Sequence, residues 1–158
     1  MSDTRLAAFK AYDIRGRVPS DLNIDMAYEI GRAYAAEMKP KGAVAVGRDV
    51  RETSMDFSRA VIRGLLDTGI DVVDIGLCGT EMVYYASSLE GMDGGIMVTA
   101  SHNPKDYNGL KLVRKEGRPI SADTGLMDIE RWVRTADIPG KAAVAGKYTE
   151  KDVMDGYV

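Results

Sequence analysis

With a single cysteine, Cys78, the chain cannot close an internal disulfide. The neighbours Ile75, Leu77 and Met82 are apolar, so this thiol reads as a small buried packing group rather than a reactive one. No stretch approaches the roughly 20 consecutive apolar residues of a membrane span. No basic tract or aromatic-interleaved patch occurs either. The 21 basic and 24 acidic side chains are intermixed for a formal charge of −3, which argues against nucleic acid as the principal partner. Any anion bound by such a chain is expected to be small and locally held. The run from Met1 to Gly16 lacks a basic start, an apolar stretch and a small-residue cleavage pattern, so the expected compartment is the cytoplasm. Gly-x-x-x-x-Gly-Lys-Ser/Thr and Gly-x-Gly-x-x-Gly are absent, leaving nucleotide binding without a motif. No Gly-x-Ser-x-Gly elbow and no solenoid-length repeat is found.

What is present is the composition of one soluble globular domain: 158 residues, 45% apolar and 28% charged. From Asp25 to Met38, apolar residues recur at helical spacing until Pro40 and Gly42 stop them. Ala43 to Val46 reads as a buried strand followed by the loop Gly47-Arg-Asp-Val-Arg-Glu. A second helix is predicted to open at Thr53 or Ser54, with Asp56 completing a capping box, and to end at Gly69. Val72 to Ile75 is a strand, Glu81 to Leu89 a short helix closed by Gly91, and Gly95 to Val98 a further buried strand. Leu110 to Arg114 reads as a strand entered through an Asn108-Gly109 turn, and Leu126, Ile129, Trp132 and Val133 mark a last full helix. This alternation predicts an α/β fold, a three-layer α/β/α domain with a mostly parallel mixed sheet. Thr149 with Asp152 three residues later reads as the start of another helix, too short to stand alone, so the chain is expected to be cut from something longer.

The most unusual segment is Thr99-Ala-Ser-His-Asn-Pro-Lys-Asp-Tyr-Asn-Gly-Leu-Lys. It leaves the carboxyl end of a buried strand, where open α/β sheets collect their ligands, and so delivers Ser101 to that edge. Pro104 lacks an N–H and biases Asn103 toward extended backbone, which keeps the segment a presenting loop rather than a helix. Taken alone it is also consistent with an ordinary solvated connection, since Ser, Asn, Pro, Asp and Gly are common loop residues. Ser101 and His102 are sequence neighbours whose side chains need not face each other, so a hydrolase triad has little support.

Four elements taken together change the balance: Lys10-Ala-Tyr-Asp-Ile-Arg-Gly, the Gly47-Arg-Asp-Val-Arg turn, Thr99-Ala-Ser-His-Asn-Pro, and Asn108-Gly-Leu-Lys. With Gly79-Thr-Glu-Met-Val-Tyr-Tyr, they resemble the α-D-phosphohexomutase superfamily in its bacterial phosphomannomutase/phosphoglucomutase branch. The resemblance covers essentially the whole chain but only the first of that family's four domains.

The resemblance implies that Ser101 carries a phosphoryl group given to one hydroxyl of a phosphosugar and recovered from the other end of a hexose 1,6-bisphosphate intermediate. Arg15 and Lys111 would steady the phosphoryl charge, the first as a multi-donor fork and the second as a point charge, and either could assist proton transfer. His102, the chain's only histidine, would move a proton at the sugar hydroxyl, with bracing of the loop as the alternative. Tyr12 would contact substrate, or else pack against the N-terminal strand. Arg48 and Arg51 read first as structural, Arg48 pairing with Asp49; Tyr28, Tyr34, Trp132 and the methionines read as packing. The family's Mg²⁺ would touch only the phosphate of Ser101 here, because Asp106 is the loop's single acid and the remaining ligands belong to the second domain. Residues 1–148 are thus expected to be the phosphoserine domain and 149–158 the start of a linker helix. The partners are then a phosphosugar and the remaining mutase domains, with little or no turnover expected from the isolated chain. A free-standing phosphosugar- or anion-binding module without catalysis is the alternative. Nothing in the chain selects glucose over mannose phosphates.

Overall fold

A computed structural model describes residues 6–152. Along them run β1 (Ile14–Arg17), α1 (Ile24–Met38), β2 (Ala43–Arg48), α2 (Ser54–Asp67), β3 (Val72–Leu77), α3 (Thr80–Ser87), β4 (Met92–Val98), β5 (Tyr107–Arg114), β6 (Arg118–Pro119), α4 (Leu126–Thr135) and β7 (Tyr148–Glu150). None of these helices is long and apolar enough to cross a membrane.

The strands form one seven-stranded sheet in the order β1-β5-β4-β2-β3-β7, with β6 paired to β5. β2, β3, β4 and β7 are mutually parallel, and β5 runs antiparallel to β4, β1 and β6. Every strand but β5 therefore points the same way. The single reversal matters for the site: antiparallel neighbours need no helical crossover, so the segment from Thr99 to Asp106 joins β4 to β5 directly at the edge where the other strands end.

Two cores sandwich the sheet. On one face α1, α2 and α4 bury Tyr34, Phe57, Leu65 and Leu126 against Ile14, Ile96, Leu110 and Leu112. On the other, α3 buries Met82 and Val83 against Ala45, Ile75, Met97 and Val113. This is the expected three-layer α/β/α arrangement. The eight residues of α3 cover the middle strands only, and β1 contributes nothing to that second core. The β1–β5 end of the face is left for polar side chains.

Several local expectations are corrected. Helix α1 opens one residue early because the Asn23 side chain, not a residue within the run, accepts the Met26 N–H at 2.8 Å. Thr53 does precede α2, but its hydroxyl caps nothing and instead accepts from the Asn108 amide at 2.8 Å. Asn108 and Gly109 make no turn. They lie inside β5, opposite Gly16 and Arg15, and Asn108 is fully buried. Gly109 is needed for closeness: a Cβ there would sit 2.2 Å from the Ile14 carbonyl oxygen. Thr149 is not a helix start but the middle of β7, paired with Val73 on the open edge of β3, while the Tyr148 hydroxyl donates to Asp74 at 2.7 Å. The sheet thus continues through Glu150, and the remainder of the expected linker helix, 153–158, lies outside the described residues.

Helices α1 and α2 cross at a pair of glycines. A Cβ on Gly64 would lie 2.2 Å from the Tyr28 carbonyl oxygen and 3.2 Å from the Gly31 Cα. Both obstacles are backbone and cannot swing away. Gly64→Ala is therefore expected to lower stability by about 1–3 kcal/mol, as overpacking does, despite alanine's better helix propensity. Urea unfolding of the variant checks this, and a gain in stability would show that the helices can separate at no cost.

Candidate functional site

The site is built on the loop between β4 and β5. Its entry is fixed by ladder continuation: the Thr99 N–H donates to the Gly109 carbonyl at 2.9 Å, and Thr99 is buried. Ser101 follows with φ of 57°, the left-handed region that L-residues with a side chain avoid. Its N–H donates to Thr99 Oγ1 at 3.0 Å, and that hydroxyl donates to Asp49 Oδ2 at 2.6 Å. The other Asp49 oxygen accepts the Ser54 hydroxyl at 2.5 Å and the Arg51 N–H at 3.0 Å. Ser54 in turn accepts from the buried Asn108 amide at 3.0 Å. A polar network therefore runs from the start of α2 through Asp49 to the backbone of Ser101.

Arg51 fills the inside of the loop. Its two terminal nitrogens donate to the carbonyl oxygens of Ser101, Asn103, Pro104 and Tyr107 at 2.8, 2.7, 2.7 and 3.0 Å. Its Nε lies 3.5 Å from Asp49 Oδ2. The loop's exit is tied to β1, where the Val18 N–H donates to the Asp106 carbonyl at 2.8 Å and Arg17 pairs with the Asp106 carboxylate at 3.1 Å. Ser101 and His102 themselves are exposed at the tip.

Arg15 and Lys111 are brought to the same sheet face. Arg15 is registered against Gly109, and Lys111 follows Gly109 by two residues, the repeat that keeps side chains on one side of a strand. The Arg15 stem passes over Gly109, with Cγ 3.0 Å from where a Cβ would stand. Its Nε donates to Asp13 at 2.8 Å, which orients the guanidinium and leaves both terminal nitrogens without a partner among the described residues. Lys111 is half-buried and carries no ion pair among the described residues. The arrangement puts two cationic side chains on the sheet face at the strand end from which the Ser101 loop departs, the means to hold a small anion there.

Tyr12 is 78% exposed in the bend before β1, so the alternative of an aromatic packed on the N-terminal strand does not hold. His102 has no hydrogen-bond partner among the described residues, and the bracing expected as its alternative role is performed by Arg51. Arg48 does not pair with Asp49: it reaches Asp74 on β3 at 3.9 Å, whereas Asp49 faces the loop. Burial pushes the Cys78 thiol up to about 11, which suits packing rather than nucleophilic chemistry. Sequence reasoning missed Asp49, Thr99, Asn108 and Arg17. Arg17 was accessible to it, since Ile14-Arg-Gly-Arg alternates and puts both arginines on one face. The others hold the loop through contacts about fifty residues distant in sequence.

A cleft of about 800 Å³ lies elsewhere, between α2 and β7, and is lined by Arg48, Arg59, Arg63, Asp74, Leu77 and Tyr148. It contains none of the candidate residues.

Residues 6–138 match the family described as phosphoglucomutase/phosphomannomutase, alpha/beta/alpha domain I. A phosphomannomutase of Salmonella typhimurium is 53% identical over 156 residues, spanning 98% of this chain and 34% of that protein. A phosphomannomutase of Klebsiella pneumoniae is 57% identical over 156 residues, covering 98% of this chain and 99% of its own recorded length. Among solved structures, a phosphoglucomutase/phosphomannomutase family protein of Burkholderia thailandensis superposes with a TM-score of 0.85 at 38% identity, over 95% of this chain and 34% of that one. The chain thus spans about a third of the length of most of the relatives named here. In sequence and in fold it belongs to the phosphoglucomutase/phosphomannomutase family, as that family's alpha/beta/alpha domain I.

Proposed function

We propose that this chain is the phosphoserine-bearing domain of a phosphohexomutase interconverting hexose 1-phosphate and hexose 6-phosphate, of mannose, glucose or both, through a hexose 1,6-bisphosphate. Ser101 is the carrier. In the forward half-reaction the Ser101 Oγ–P bond breaks as a sugar hydroxyl oxygen forms its bond to phosphorus; the hydroxyl proton leaves to His102, and the serine oxygen recovers a proton. In the second half the bisphosphate returns its other phosphoryl group to Ser101. A phosphoserine holds about −1.5 to −2 charge near neutrality, so its surroundings must supply fixed donors as that charge redistributes. Arg15 and Lys111 have that part, and Tyr12, exposed before β1, meets the sugar.

The observation that carries this reading is the convergence of Arg15 and Lys111 on the face beside the loop that presents Ser101, with the Arg15 terminal nitrogens and the Lys111 ammonium unpaired among the described residues. Mg²⁺ belongs to the proposal only through the phosphate oxygens of Ser101. Among the described residues no group of three or more His, Cys, Asp or Glu side chains is placed to hold a metal, and Asp106 is engaged by Arg17. The described residues do not by themselves fit a Mg²⁺ site; the other ligands would come from further domains, which we take to be the partners of this chain in the cytoplasm.

The test is the rate at which Ser101 accepts phosphate from a hexose 1,6-bisphosphate. Arg15→Ala and Lys111→Ala are each expected to slow it roughly 10²- to 10³-fold, as removal of one donor from a developing charge does, without preventing folding. Rates within about twofold of the parent in both variants would remove these residues from the mechanism.

A further inference from the structure

We infer that Arg51 is a positioning residue for phosphoryl transfer: it holds the Ser101 loop in its presenting shape from within, without touching substrate. This inference rests on Ser101 being the carrier. Four of the five guanidinium N–H groups are spent on carbonyl oxygens of the loop, those of Ser101, Asn103, Pro104 and Tyr107, and the fifth faces Asp49. Arg51 therefore has no donor left for a ligand, which separates it from Arg15.

The loop needs such a core. Four carbonyls turned toward one another repel, and without a cation between them the polypeptide would rotate them to water. Ser101 also sits at φ of 57°, in the left-handed region that a residue with a Cβ avoids. Asp49 closes the arrangement from the other side, accepting Thr99 Oγ1, the hydroxyl that receives the Ser101 N–H, while it accepts the Arg51 N–H on its second oxygen. Both backbone groups of Ser101 are thus held by one Asp49–Arg51 unit anchored at the start of α2. Lysine cannot replace Arg51: its single nitrogen has three donors and no planar fork. The benefit is alignment, since displacement of a reacting group by about 1 Å costs on the order of 10²-fold in rate.

The test compares ¹⁵N-labelled parent chain with Arg51→Lys and Arg51→Ala by backbone amide exchange. Both variants are expected to exchange roughly tenfold or more faster between Thr99 and Tyr107, with β2 and β4 amides unchanged. Guanidinium ion, well below denaturing concentrations, should restore the loop of Arg51→Ala. Parent-like loop amides in both variants, or loss of sheet protection equal to that of the loop in both, would overturn the inference. In phosphate uptake from a hexose 1,6-bisphosphate, Arg51→Lys should lower the maximal rate about tenfold with the half-saturating concentration unchanged; the reverse split would contradict positioning. If the parent accepts no phosphate although the exchange results stand, transfer to Ser101 by this chain alone fails and the loop-holding role of Arg51 survives.

Discussion

Ser101→Ala is expected to take up no phosphate from a hexose 1,6-bisphosphate under conditions in which the parent chain is labelled, and to abolish turnover in a full-length enzyme carrying it. The expectation is sharp because the loop does not depend on the Ser101 hydroxyl. Its fixed points are the Ser101 N–H on Thr99 and the Ser101 carbonyl on Arg51, both backbone groups that alanine keeps. The variant should fold with an unchanged thermal midpoint while losing the covalent acceptor outright. His102→Ala, by contrast, removes a proton-transfer group and should slow uptake by about 10²- to 10⁴-fold without ending it. Intact mass spectrometry separates the outcomes. Labelling of the Ser101 variant at the parent's rate would place the carrier elsewhere.

The second large effect is on stability. Asp49→Ala withdraws the acceptor for the Thr99 hydroxyl, the Ser54 hydroxyl and the Arg51 N–H, and removes the counter-charge beside the Arg51 guanidinium. Thr99 is buried and Ser54 fully so, which denies them easy replacement by water. Hydrogen bonds to a charged group, and buried donors left unmade, put the loss at about 2–4 kcal/mol. Asp49→Asn, which keeps the shape and one acceptor oxygen, should lose about half as much. Urea unfolding with an unchanged m-value reads both. A loss below about 0.5 kcal/mol for Asp49→Ala would mean that the network reorganises around solvent.

Much of the architecture follows from pattern, because helix faces and buried strands are written in local apolar periodicity. The departures share a cause. Asn108-Gly109 has the local signature of a turn, but the buried Asn108 amide finds its acceptors on Thr53 and Ser54, more than fifty residues away, and a strand is the conformation that delivers it there. Thr53 and Asp56 have the spacing of a capping box, yet Thr53 is occupied by that same amide. Arg48 and Asp49 look like an ion pair because they are adjacent; at the end of β2 they turn to opposite neighbours, one to β3 and one to the loop after β4. Thr149 reads as a helix cap until the open edge of β3 is known to lie beside it.

For the candidate site, the presenting loop was legible as a loop at a strand's carboxyl end, and Ser101, His102, Arg15, Lys111 and Tyr12 were named through family resemblance. Register then supplies what no spacing in the chain could, the placement of Arg15 and Lys111 on one face through Gly109. Arg51 was legible as structural, though its work on four loop carbonyls was not, because main-chain acceptors leave no mark in a sequence.

The most direct measurement is the intact mass of the purified chain, with peptide mapping across Thr99 to Pro104, before and after exposure to a hexose 1,6-bisphosphate and Mg²⁺. A single phosphate confined to Ser101 is the expected result and identifies the carrier. Phosphate on another residue would place the carrier elsewhere, and an unmodified loop under both conditions would contradict transfer by this domain as it stands and leave a module that binds the phosphosugar without accepting its phosphate.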